Sequence, residues 1–175
     1  TRFKLVMKKL IKKILKEETE TNDNNSYIVF VAGTNKTGIS HKSQYAAFKD
    51  SIGETDKIIK YFNNDDHNNS NSELFKWLGE NFLNVASLFL FSAGCSLSNR
   101  LTPSYVPTQF TYCIEPYAST NSKKTWTNLS AKNFYVNSTQ WQRGKGAMEN
   151  IPDDNKNNLN SHTQALKDAT KKIFK

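Results

Sequence analysis

Short, unbroken apolar runs constrain this chain most. Residues 27–33, YIVFVAG, and 86–92, ASLFLFS, are too short for buried helices and lack any alternation of polar and apolar positions. The first is rich in β-branched and aromatic side chains, and the second alternates two leucines with two phenylalanines. Such a run is a strand covered on both faces, which is the condition of a parallel sheet. Three weaker runs, 57–63, 110–117 and 132–138, read as further strands. Helical spacing appears between them. Residues 43–53 read as a helix closed by Gly53, 72–82 as a helix with Ser72 as N-cap, and 94–101 as a short helix. Residues 162–174 form a terminal helix with Ala165, Leu166, Ala169 and Ile173 on its apolar side. Strands alternating with helices predict an α/β chain: a three-layer fold around a mostly parallel central sheet of about five strands. Asparagine tracts such as Asn63-Asn64, Asn68-Asn69 and Asn157-Asn158 mark loops, because Asn favours turns and tolerates left-handed backbone.

A separate element precedes this body. Residues 2–18 predict an amphipathic helix, with Phe3, Val6, Leu10 and Ile14 on its apolar stripe and Met7, Ile11 and Leu15 beside them. Residues 19–26 are a polar linker, and 27–175 form the main domain. The chain of 175 residues carries a net charge of +8, yet Arg2, Lys4, Lys8, Lys9, Lys12, Lys13 and Lys16 supply nearly all of it. The body is therefore close to neutral. Nucleic-acid binding would rest on the leader helix alone and is the weakest reading. Residues 2–18 are expected to dock on a protein partner or an anionic surface. No apolar stretch reaches the ~20 residues that span a bilayer. Lysines interrupt the leader, so no secretory signal is expected, and the location expected is cytoplasmic or virion-associated. Cys95 and Cys113 lack metal-ligand spacing and read as small buried hydrophobes; a disulfide between them is unsupported.

The strand ends carry the chemistry. In an open α/β sheet, sites collect beyond the carboxyl ends of the strands. The first run ends in Gly33-Thr34-Asn35 and the second in Asn63, Asn64, Asp65, Asp66 and His67. The third ends in Ser92-Ala93-Gly94 and the fourth in Glu115, while His162 stands just before the last helix. A serine hydroxyl needs a base to take its proton. A histidine base needs a carboxylate to fix its tautomer and stabilise the imidazolium. Blander roles stand beside these: Ser92 as a turn serine capping the next helix, Glu115 as a solvated strand end, and His162 as a helix N-terminal residue behind a Ser161 cap. The loop around Asp65, Asp66 and His67 reads as solvated, although it offers an alternative acid or metal ligands. His41 reads as a surface residue near the pocket. Residues 140–152, QWQRGKGAMENIP, place Trp141 and Arg143 close to His162, a pairing suited to a carbohydrate or an anionic substrate. They are not a phosphate loop, since the G-x-x-x-x-G-K spacing is absent.

Leu90-Phe91-Ser92-Ala93-Gly94, followed by Glu115 and then His162, resembles the elbow and the Ser-acid-His chain order of the α/β-hydrolases. The second glycine of G-x-S-x-G is present, and Leu90 stands in place of the first. The resemblance covers residues 27–174 in a reduced form. It implies Ser92 as nucleophile, His162 as base and Glu115 as the acid that orients it. The oxyanion donors would be the backbone N–H groups of Ala93 and Thr34. Asn35, Trp141 and Arg143 would line the substrate. The implied function is hydrolysis of an ester or amide by acyl transfer, on a small-molecule or cell-wall substrate, without cofactor or metal.

Leu15-Lys16-Glu17, at the end of a basic amphipathic helix, resembles the leader segments of structural proteins from large tailed phages, which are cut after Leu-x-Glu. That resemblance implies the rival function: a non-enzymatic, virion-associated structural protein on a hydrolase-like scaffold, assembled through residues 2–18.

Overall fold

A computed structural model describes residues 26–33, 40–63, 73–99, 111–116, 133–136, 147–150 and 159–175. The leader and linker of residues 1–25 lie outside them. So do Thr34, Asn35, Asp65, Asp66, His67, Ser72, Trp141 and Arg143. Six strands are described: β1 (Tyr27–Val31), β2 (Ile58–Phe62), β3 (Val85–Phe91), β4 (Thr111–Ile114), β5 (Asn133–Val136) and β6 (Ala147–Asn150). The helices are α1 (His41–Ile52), α2 (Glu73–Asn81) and α3 (Leu159–Ile173), with 3-10 segments at Phe82–Asn84 and Ser92–Asn99.

All neighbouring strands pair in parallel, in the order β2-β1-β3-β4-β5-β6. The α/β class and the parallel sheet agree with the sequence reading. The strand count does not. Residues 147–150 fall outside the five runs that the sequence marks as strands, yet they pair with β5 at the sheet edge. An edge strand is covered less than a central one, and Ala-Met-Glu-Asn has no apolar run to announce it. The short helix expected over 94–101 is a 3-10 segment that already starts at Ser92. Nor does His162 precede the last helix: it lies within the first turn of α3.

The unbroken apolar runs have a direct cause. Ile28 and Phe30 of β1 face one core with Phe89, Phe91 and Ile114, beneath Ala47 and Phe48 of α1 and Ala165, Leu166 and Ala169 of α3. Val29 and Val31 face the other core with Leu88, Leu90 and Cys113, beneath Leu74, Phe75 and Leu78 of α2 and Cys95 and Leu97 of the 3-10 segment. Both faces of the central strands are thus dry, and no strand residue there can be polar without cost. Aromatic rings tie α1 and α3 to the sheet. Phe30 stacks on Phe48 at 4.3 Å, Phe48 meets Phe89 at 5.0 Å, and Phe89 lies 5.4 Å from Phe174. Such pairs add about 0.5–1.5 kcal/mol each beyond their buried area. α1 starts where the Ser40 hydroxyl accepts the Ser43 N–H at 3.1 Å, and it ends at Gly53. Among the described residues, no helix is long and apolar enough to cross a membrane.

Candidate active site

The chain leaves β1 toward β2 on one side and returns to β3 on the other, so the strand order reverses between β1 and β3. A crevice opens at such a switch point, outside the carboxyl ends. Counting the register onward past the last paired residues places the strand-end residues opposite one another. Val31 pairs with Leu90, which aligns Gly33 with Ser92; Phe91 pairs with Ile114, which aligns Ser92 with Glu115. Three residues therefore form a row across adjacent strand ends, spaced by roughly the 4.8 Å that separates neighbouring strands.

Two of the three hold a backbone that side chains rarely adopt. Ser92 has φ 54° and Glu115 has φ 51°, and neither is glycine. A left-handed residue with a Cβ costs about 1–3 kcal/mol. At Glu115 the following Pro116 would ordinarily hold the preceding residue extended. The Glu115 N–H remains in the ladder, donating to the Tyr135 carbonyl at 2.7 Å. The carboxylate is fully buried at 0% exposure, which rules out the solvated strand end.

What faces Glu115 is His162. Its Nδ1 lies 3.2 Å from Glu115 Oε2, and both side chains are buried. The ring also stacks on Phe91, with centroids 4.5 Å apart and planes 29° apart. Phe91 immediately precedes Ser92, so the imidazole is fixed by the residue before the serine and by the carboxylate aligned with it. A carboxylate only accepts, so Nδ1 donates; Nε2 is then the proton-accepting nitrogen.

Glycines make the turn sterically feasible. A Cβ on Gly33 would stand 2.6 Å from Ser92 Cβ and 3.1 Å from its Oγ. A Cβ on Gly94 would stand 2.7 Å from the Ala32 carbonyl oxygen and 2.9 Å from that of Val31. The 3-10 segment thus crosses the end of β1 at backbone contact. Leu90, in place of the first elbow glycine, is buried in the core on the α2 face. Cys95 fastens the turn from below: its thiol donates to the Leu90 carbonyl at 3.2 Å. Burial pushes that thiol well above its ordinary value of 9.0, and neighbouring Cys113 adds to the rise. Both cysteines are free.

Of the residues expected at the site, Glu115 and His162 are hydrogen-bonded to each other, and Ser92 and Ala93 follow Phe91, on which the His162 ring stacks. His41 opens α1, where its Nε2 is buried without a partner. Thr34, Asn35, Trp141 and Arg143 lie outside the described residues. Sequence reasoning missed Gln44, whose Oε1 accepts the Gly33 N–H at 2.7 Å. Its signal was there: Gln44 falls on the same helical stripe as Ala47, Phe48 and Ile52, a polar residue among buried ones. A cavity of about 780 Å3, lined by Tyr45, Lys49, Glu54 and Lys57 among others, lies instead near the amino end of β2. It takes in none of these groups. No protein-family model, curated protein or solved structure matches the chain, so the reading of this site rests on its own geometry.

Proposed function

We propose that the protein is a serine hydrolase that cleaves an ester or amide by acyl transfer. The observation that carries the reading is the buried 3.2 Å hydrogen bond between His162 and Glu115, alongside a serine held at φ 54°. A buried imidazole–carboxylate pair is costly unless it has work to do, and left-handed backbone at two adjacent strand ends raises that cost.

In this mechanism the Ser92 hydroxyl attacks the substrate carbonyl carbon while His162 Nε2 takes its proton. Glu115 stabilises the resulting imidazolium, and the stacked Phe91 ring offers it a π face. The imidazolium then protonates the leaving alcohol or amine, and the acyl group stays on Ser92 Oγ. Water, deprotonated by the same imidazole, releases the acid and restores the serine. The oxyanion would be held by the Ala93 N–H and by the amide of Thr34. The Gly33 N–H is not available for that duty, because Gln44 accepts it. Each such donor lowers the barrier by about 3–4 kcal/mol.

A fluorophosphonate probe tests the proposal. Wild type is expected to be labelled on Ser92, and Ser92→Ala to be spared. A folded wild type that no fluorophosphonate labels, under conditions that label an ordinary serine hydrolase, overturns it.

A further inference from the structure

We infer that Gln44 is a positioning residue for Ser92, acting through the backbone of Gly33; this rests on the hydrolase reading above. Gln44 is only 2% exposed and shares its stripe of α1 with Ala47, Phe48, Ser51 and Ile52. A leucine would fit such a stripe without desolvating an amide. The glutamine has a bond to make: its Oε1 accepts the Gly33 N–H at 2.7 Å, eleven residues back in the chain.

Gly33 is not an arbitrary target. It is the wall against which Ser92 rests, near enough that a Cβ there would fall 2.6 Å from Ser92 Cβ. Glycine is also the residue least able to hold its own backbone direction. Something outside the strand must hold it, and Gln44 reaches it from a helix that is itself pinned to the sheet by Phe48. Loss of the acceptor leaves a buried N–H unpaired, and Gly33 then turns to find another partner. That motion changes the wall beside the Ser92 hydroxyl. The change acts on the serine itself. The effect therefore falls on the chemical step.

The test uses the full chain and the inactivation kinetics of a fluorophosphonate. Gln44→Leu is expected to lower the limiting inactivation rate by about tenfold to 100-fold, with the half-saturating probe concentration within about threefold of wild type. Gln44→Glu keeps an acceptor at the same reach and recovers most of the rate. Gln44→Asn keeps the amide, shortens the reach and behaves like Gln44→Leu; it serves as the comparison if the leucine variant does not fold. If wild type is labelled on Ser92 and Gln44→Leu is labelled equally fast, the positioning role falls and the hydrolase reading stands. Gln44→Glu as slow as Gln44→Leu also overturns the role, and so does failure of both Gln44→Leu and Gln44→Asn to fold. If wild type itself is not labelled, both fall together.

Discussion

Left-handed backbone occurs at both ends of the sheet, and the two ends use it differently. At the amino end Gly53 closes α1 with φ 76°, and a Cβ there would meet nothing within 4 Å. A residue without a side chain sits where none is needed. At the carboxyl end Ser92 and Glu115 hold φ 54° and 51° in buried surroundings. Glycine would relax both, yet the chain keeps a hydroxyl and a carboxylate there. The carboxyl end holds strained backbone that glycine would relieve, as the proposed active site leads one to expect.

The largest effects should come from removing the retained groups. His162→Ala is expected to lower turnover of an activated ester by about 10⁴-fold to 10⁶-fold, and Glu115→Gln by about 10⁴-fold, because the amide can no longer fix the imidazole tautomer. Steady-state hydrolysis measures both. Retention of activity within about tenfold by Glu115→Gln would erase the distinction between the two ends.

The glycines sharpen it next. Gly33→Ala and Gly94→Ala each push a Cβ to within 2.7 Å of a neighbouring atom. They should cost about 1–3 kcal/mol in urea denaturation. Gly53→Ala meets open space and should cost only the backbone term of about 1 kcal/mol.

A smaller effect carries the opposite sign. Ser92→Gly should raise stability by about 1 kcal/mol while labelling disappears, since it releases the backbone and deletes the nucleophile. Unfolding at a matched pH reads the first and the probe reads the second. A Ser92→Gly variant less stable than wild type would mean that the turn is not strained.

The smallest effect is one of pH. Burial raises the Cys95 thiol above its ordinary 9.0, so the folded chain keeps a proton that the unfolded chain loses first. The contribution is intact below pH 9.0 and declines as pH rises beyond it. Denaturation midpoints between pH 8 and 10 should fall less steeply in Cys95→Ala, and native Cys95 should resist alkylation that the unfolded chain undergoes.

Much of the fold was legible because burial on both faces writes itself as an unbroken apolar run. Tyr27–Val31 and Val85–Phe91 could hardly be anything but central strands. Ala147–Asn150 escaped because an edge strand needs no such run. At the site, the order Ser92, Glu115, His162 was readable, and so was the fall of Ser92 and Glu115 at strand ends. The conformations were not. Nothing in Phe-Ser-Ala announces φ 54°, and nothing in Ile-Glu-Pro announces a buried left-handed carboxylate. Those depend on neighbours far along the chain: Gly33 for the serine, His162 for the acid. Gln44 was visible only as a polar letter on an apolar stripe, and its partner could not be named without the placement of α1 beside the end of β1.

The alignment of Gly33, Ser92 and Glu115 makes the length of each strand part of the chemistry. One residue inserted within Thr111–Ile114 would swing the carboxylate to the opposite face of the sheet, because facing alternates with every residue. Two would restore the facing but displace it by about 6.6 Å along the strand. Descendants of this chain must therefore keep the count of residues inside β1, β3 and β4 fixed for the three groups to stay aligned.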